Sequence, residues 1–156
     1  DKPVFYYWLI ALSYKCFGVS EWSARLVSVV STLLAAGGIW GVCRLFAPAL
    51  APYIALVFLT SLQVVGIGRM SITDMNLMLW MTLTTLTAYW AIQPGKNRFW
   101  LLAGALSGVG MLTKGPVALV LPGLVTLLAA AWQGKIKAIL QSVWPWLGAA
   151  LGLAIA

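Results

Sequence analysis

Charge-free runs long enough to cross a bilayer recur along this chain and constrain its fold more than any other feature. Leu26 to Cys43 is 18 residues without a charge, bounded by Arg25 and Arg44, and Met75 to Gln93 is another 19. At about 1.5 Å of rise per residue, about 20 apolar residues cross the hydrocarbon as a helix. Only 8% of the 156 residues are charged and 62% are hydrophobic, where a soluble domain carries about 25% charged residues. A chain so poor in polar surface reads as an integral membrane protein, all-α, built as a polytopic transmembrane helix bundle.

Charges and prolines divide it. The expected spans are 26–43, 50–68, 75–93, 99–113, 115–134 and 138–156, the last one truncated, all within a partial membrane domain 1–156 of a longer protein. Pro48 and Pro52 mark one turn, and Pro94-Gly95-Lys96-Asn97-Arg98 is a clear loop. Residues 1–24 read as a juxtamembrane segment with helices along the surface, its Phe5, Tyr6, Tyr7 and Trp8 suited to an interface. The tail of a preceding span is the alternative for this stretch.

The net charge of +7 comes from ten bases against three acids. The bases stand singly at the ends of apolar runs, which fits contacts with lipid headgroups. No basic stripe exists to follow a phosphate backbone, so nucleic acid is not expected as a partner. If the spans alternate, Arg44, Lys96, Arg98, Lys135 and Lys137 share one side without an acid. Asp1, Glu21 and Asp74 then share the other with Lys2, Lys15, Arg25, Arg69 and Lys114. The short acid-free loops read as cytoplasmic.

Cys16 and Cys43 are far apart among apolar residues, and the chain has no His, so a Cys/His zinc site is excluded within it. Both cysteines read as small hydrophobes in packed helices. Gly37 and Gly41, like Gly104 and Gly108, have the small-xxx-small spacing that lets helices approach closely. The glycines before Thr113-Lys114-Gly115 are in the wrong order for a phosphate loop, and no strand precedes them.

Asp74 is the only acid after Glu21. It could simply cap the helix that Met75 opens, since Asp accepts from the first free N–H groups, and Thr73 could do the same. Arg69 lies five residues earlier, about 140° around a helix, so the two can meet only across a turn. Asp1-Lys2 could contact headgroups, and Lys114 could snorkel to the interface. Jointly, acids and bases at the outer ends of several spans suit a lipid phosphate held beside a carboxylate.

Four motifs follow one another in order: Asp1-Lys2-Pro3-Val4-Phe5-Tyr6-Tyr7-Trp8-Leu9, Phe17-Gly18-Val19-Ser20-Glu21-Trp22-Ser23-Ala24-Arg25, Arg69-Met70-Ser71-Ile72-Thr73-Asp74-Met75 and Leu112-Thr113-Lys114-Gly115-Pro116. In these the chain resembles the bacterial membrane glycosyltransferases related to aminoarabinose transferase and to protein O-mannosyltransferases. The resemblance implies a GT-C fold and transfer of a sugar from a polyprenyl-phosphate donor to a lipid (such as lipid A) or protein acceptor. Transfer would occur on the outer side of a bacterial cytoplasmic (inner) membrane.

By that resemblance, Asp74 lines the active site as its catalytic carboxylate. Lys2, Lys114 and Arg69 would bind the donor phosphate, and Asp1 would help hold a divalent metal. Val4 stands where the family usually has a second Pro, which leaves that turn less rigid. The family's leading catalytic acid is expected upstream of Asp1, so these residues alone are not expected to catalyse transfer. The competing readings are a transporter or flippase, which would need a charge in mid-span, and a non-catalytic assembly subunit.

Overall fold

A computed structural model describes residues 4–156, and Asp1, Lys2 and Pro3 lie outside the described residues. In chain order the helices are α1 (Phe5–Phe17), α2 (Glu21–Phe46), α3 (Ala51–Thr60), α4 (Leu62–Gly68), α5 (Thr73–Ala91), α6 (Phe99–Lys114), α7 (Val117–Trp132), α8 (Ile136–Gln141) and α9 (Val143–Ile155). The described residues contain no strand. They form two compact units, divided between Leu79 and Trp80 within α5.

In the first unit α1 and α2 form an antiparallel hairpin. Gly18 turns the chain at φ 79°, and Ser20 then caps α2. The Ser23 N–H donates to Ser20 Oγ at 3.2 Å, and the Ser20 N–H donates to Ser23 Oγ at 3.1 Å. This capping box starts the helix at Glu21, five residues ahead of the charge-free run. The charges it takes in are exposed and pair with each other, Arg25 Nη2 to Glu21 Oε2 at 3.2 Å. With 26 residues the helix is about 39 Å long, and it is the one described helix that by itself is long and apolar enough to span a membrane.

The faces of α2 are sorted as lipid demands. Ser23, Ser28, Ser31, Thr32, Ala35 and Ala36 are buried, while Val29, Val30, Leu33, Leu34 and Trp40 are exposed. Water would reward the reverse. In hydrocarbon, large side chains gain nothing by turning inward, and small or hydroxylated ones let helices approach and bond. Cys16 is exposed rather than packed, and both cysteines are free thiols.

The run 50–68 is a broken helix. α3 and α4 meet at 61° and pass the length and hydropathy requirement for a span only when taken together. Ser61 is extended (φ −61°, ψ 134°), which interrupts the backbone ladder. Nearby hydroxyls bond to carbonyls of α3's last turn: Thr60 Oγ1 donates to Leu56 O at 2.8 Å and Ser61 Oγ to Phe58 O at 2.9 Å.

The second unit holds the later turns of α5 and α6 to α9. Gly115, at φ 85°, ends α6, and Pro116 leads into α7, so these two helices also form a hairpin. Pro122, inside α7, has no N–H to donate, and its own carbonyl accepts from Thr126 Oγ1 at 2.7 Å. Ser142 is extended between α8 and α9, so the run 138–156 also contains a break.

Parallel packing of α9 on α6 rests on four glycines. A Cβ on Gly104 would collide with the backbone of Gly148, and one on Gly108 would come within 2.6 Å of Gly152 O. Gly104 and Gly108 therefore make the close approach that their spacing suggests. Gly37 and Gly41 do not, since a Cβ on either would meet nothing within 4 Å.

Candidate active site

A polar network buried in the first unit fixes the segment that carries Arg69 and Asp74. Tyr6, in the first turn of α1, is 2% exposed. Its Oη lies 3.1 Å from Ser28 Oγ and 3.5 Å from Ser71 Oγ. Ser28 Oγ donates to Ile72 O at 3.3 Å, and Ser71 Oγ donates to Ala24 O at 3.1 Å. Each serine hydroxyl has one proton, and both are thus committed to carbonyls. Tyr6 is therefore the donor in its bond to Ser28.

A second attachment follows one turn later. Asn76 Nδ2 donates to Ser31 Oγ at 3.0 Å, and Ser31 Oγ passes its own proton to Val27 O at 2.8 Å. On the other side, a Cβ on Gly68 would stand 3.1 Å from Thr32 Oγ1, so the end of α4 lies close against α2. Residues 69–75 thus run between fixed points at Gly68 and Asn76, with Ser71 and Ile72 also bonded to α2. Hydroxyls in a medium without water must find such partners, which makes the network specific as well as stabilising.

Arg69 is exposed and follows the last residue of α4. Asp74 is half-buried in the first turn of α5. The helix begins at Thr73, so Asp74 is its second residue rather than its N-cap, where the positive end of the helix still favours a carboxylate. A turn does separate Arg69 from Asp74, with the Ile72 N–H donating to Met70 O at 3.0 Å.

Lys114 belongs to the second unit. It is exposed in the last turn of α6, where a cation complements the helix dipole. Gly115 closes that turn with its N–H on Met111 O at 2.7 Å. The structure thus brings Arg69 and Asp74 onto one braced segment and sets Lys114 at a tight helix hairpin. Lys2 and Asp1 lie outside the described residues.

Sequence reasoning missed Tyr6, Ser28, Ser31, Ser71 and Asn76. In the sequence Tyr6 reads as one of an interfacial aromatic group, of which only Tyr7 and Trp8 are exposed. The available signal was the pair Ser28 and Ser31, three apart on one face of an otherwise apolar run.

Among the described residues no three of His, Cys, Asp and Glu come together, and Glu21 already pairs with Arg25. Asp1, expected to help hold a divalent metal, lies outside the described residues.

Comparison with known proteins completes the description. A family profile described as dolichyl-phosphate-mannose-protein mannosyltransferase matches residues 1–156. An undecaprenyl phosphate-alpha-4-amino-4-deoxy-L-arabinose arabinosyl transferase from Sodalis glossinidius is 32% identical over 148 residues, 90% of this chain and 26% of its own length. One of the same description from Pectobacterium carotovorum is 37% identical over 147 residues, again 90% of this chain and 26% of its own length. The crystal structure of ArnT from Cupriavidus metallidurans superimposes with a TM-score of 0.83 at 27% identity, both in the apo state and bound to undecaprenyl phosphate. The match covers 99% of this chain and 29% of that one. The chain thus spans about a quarter of the length of the relatives it matches.

Proposed function

Because the chain belongs to the dolichyl-phosphate-mannose-protein mannosyltransferase family, with the all-α membrane fold of a GT-C glycosyltransferase, we propose that it works as part of a bacterial sugar transferase. The reaction moves a sugar from a polyprenyl phosphate to a lipid, such as lipid A, or a protein acceptor. It takes place at the outer face of the cytoplasmic membrane. The observation that carries this reading is the family match along residues 1–156.

The transfer forms a bond from an acceptor oxygen to the anomeric carbon and breaks the bond from that carbon to the carrier phosphate. Asp74 takes the acceptor proton, and the electron pair of the broken bond leaves on the phosphate. By its match to the family's motif, Lys2 neutralises that phosphate, with Lys114 a further candidate for the role and Arg69 a weaker one. Cations placed where charge develops lower the barrier most when water is scarce, as at the headgroup boundary.

The network around Ser28 supports the role given to Asp74. It braces the backbone on both sides of the carboxylate, and Tyr6, its hub, lies four residues after Lys2 in the sequence. Asp1 is proposed to assist a divalent metal only in combination with groups beyond the described residues.

The test uses the full-length protein purified in detergent with a labelled polyprenyl-phosphate sugar. Asp74→Asn and Lys2→Ala are each expected to abolish transfer while the protein stays folded. Wild-type transfer by both variants would overturn the assignment.

A further inference from the structure

The second unit carries a feature that transfer chemistry does not use. A cavity of about 240 Å³ opens among α5 to α9, and its lining is almost wholly apolar, including Trp100, Leu119, Pro122, Leu127, Ile139 and Trp146. Thr84 also lines it, is 5% exposed, and its Oγ1 has no hydrogen-bond partner. Nearby Thr85, Thr87 and Thr126 all return their hydroxyls to carbonyls of their own helices.

One end of this unit is basic and aromatic. Ile92, Ala130, Ile139 and Trp100 pack together there, which gathers the 92–98 and 133–135 loops. Those loops carry Lys96, Arg98 and Lys135, Lys137 follows in the first turn of α8, and no acid follows Asp74 in the sequence. Lys96 Nζ stands 5.4 Å from the Trp90 ring centre and 6.0 Å from that of Phe99, and Trp132 is 94% exposed. Trp100 and Ile139 belong both to the packed cluster and to the cavity wall, each two residues beyond a cation, Arg98 and Lys137. In chain position the cavity wall thus begins just beyond these cations.

We propose that this is a binding site for one anionic phospholipid, with an acyl chain in the cavity and its phosphate among Arg98, Lys137 and their neighbouring lysines. These cations attract an anionic headgroup, and the apolar cavity close by accepts an apolar chain. One amphiphile supplies both. Membrane placement is all this inference requires, so it stands apart from the catalytic role of Asp74.

Native mass spectrometry on the delipidated full-length protein tests it, with phosphatidylglycerol and phosphatidylcholine as probes. Wild-type and Asp74→Asn proteins should each retain one phosphatidylglycerol and release phosphatidylcholine. Each basic residue near an anionic surface contributes a factor of about five, so Arg98→Gln with Lys137→Gln should weaken retention about 25-fold. Gly123 lines the cavity, and a Cβ there meets nothing within 4 Å. Gly123→Leu places a side chain on the cavity wall and should displace the lipid. Equal retention of the two lipids, or unchanged retention by Gly123→Leu, would overturn the proposal. So would displacement of phosphatidylglycerol, one for one, by a polyprenyl phosphate, since the cavity would then belong to the sugar carrier.

Discussion

Gly104→Ala isolates the contribution of close helix approach in the second unit. The new Cβ would fall inside the van der Waals envelope of the Gly148 backbone, and backbone has no rotamer by which to yield. α6 and α9 would have to move apart by about 1 Å, and a gap of that size forfeits a quarter to a half of each dispersion contact along the seam. Over-packing a tight core by one methylene costs about 1–3 kcal/mol, and a backbone collision belongs at the upper end, about 3 kcal/mol.

The matched control is Gly123→Ala in α7, where the Cβ enters open space. There only the helix-propensity gain acts, at most about 1 kcal/mol in the stabilising direction. Thermal unfolding of the full-length protein in detergent, followed by loss of monodispersity, reads both. Gly104→Ala should lower the midpoint by several degrees, while Gly123→Ala leaves it level or raises it. Equal midpoints for the two variants would refute the backbone-to-backbone packing.

Three further outcomes follow from single side chains. Tyr6→Phe removes the donor to Ser28 and should cost about 1 kcal/mol, at the low end for a buried bond because Ser28 keeps Ile72 O; denaturant titration measures it, and transfer should fall with it. Thr84→Val replaces an unpartnered hydroxyl by a methyl of similar shape and should stabilise the lipid-free protein by about 1 kcal/mol, read from the same thermal midpoint. Gly115→Ala forces a side chain to φ 85° at the end of α6 and should cost about 1–2 kcal/mol, again seen in the midpoint.

The charge-free runs and the Pro94-to-Arg98 loop announced helices and a turn, and the structure puts helices on those runs. The break at Ser61 was not legible, because neither proline nor charge marks it, whereas the break at Ser142 carried a signal in Pro145, which has no N–H to donate to Gln141 O. A serine at 61 is unremarkable by composition, and only its extended backbone ends the helix. Nor could spacing tell Gly104 and Gly108 from Gly37 and Gly41, since both pairs fit the same pattern and only the partner helix differs. At the site, Arg69, Asp74 and Lys114 stood out because charge is scarce. The bracing hydroxyls did not, since pairing Tyr6 with Ser28 and Asn76 with Ser31 requires knowing which helices touch.

The claim that Asp74 performs the chemistry while the cations hold the carrier is tested most directly by measuring transfer and carrier binding separately. In full-length Asp74→Asn protein, sugar transfer should fall by at least 100-fold while binding of polyprenyl phosphate stays at the wild-type level. Transfer at the wild-type rate, or loss of carrier binding in step with loss of transfer, would contradict it.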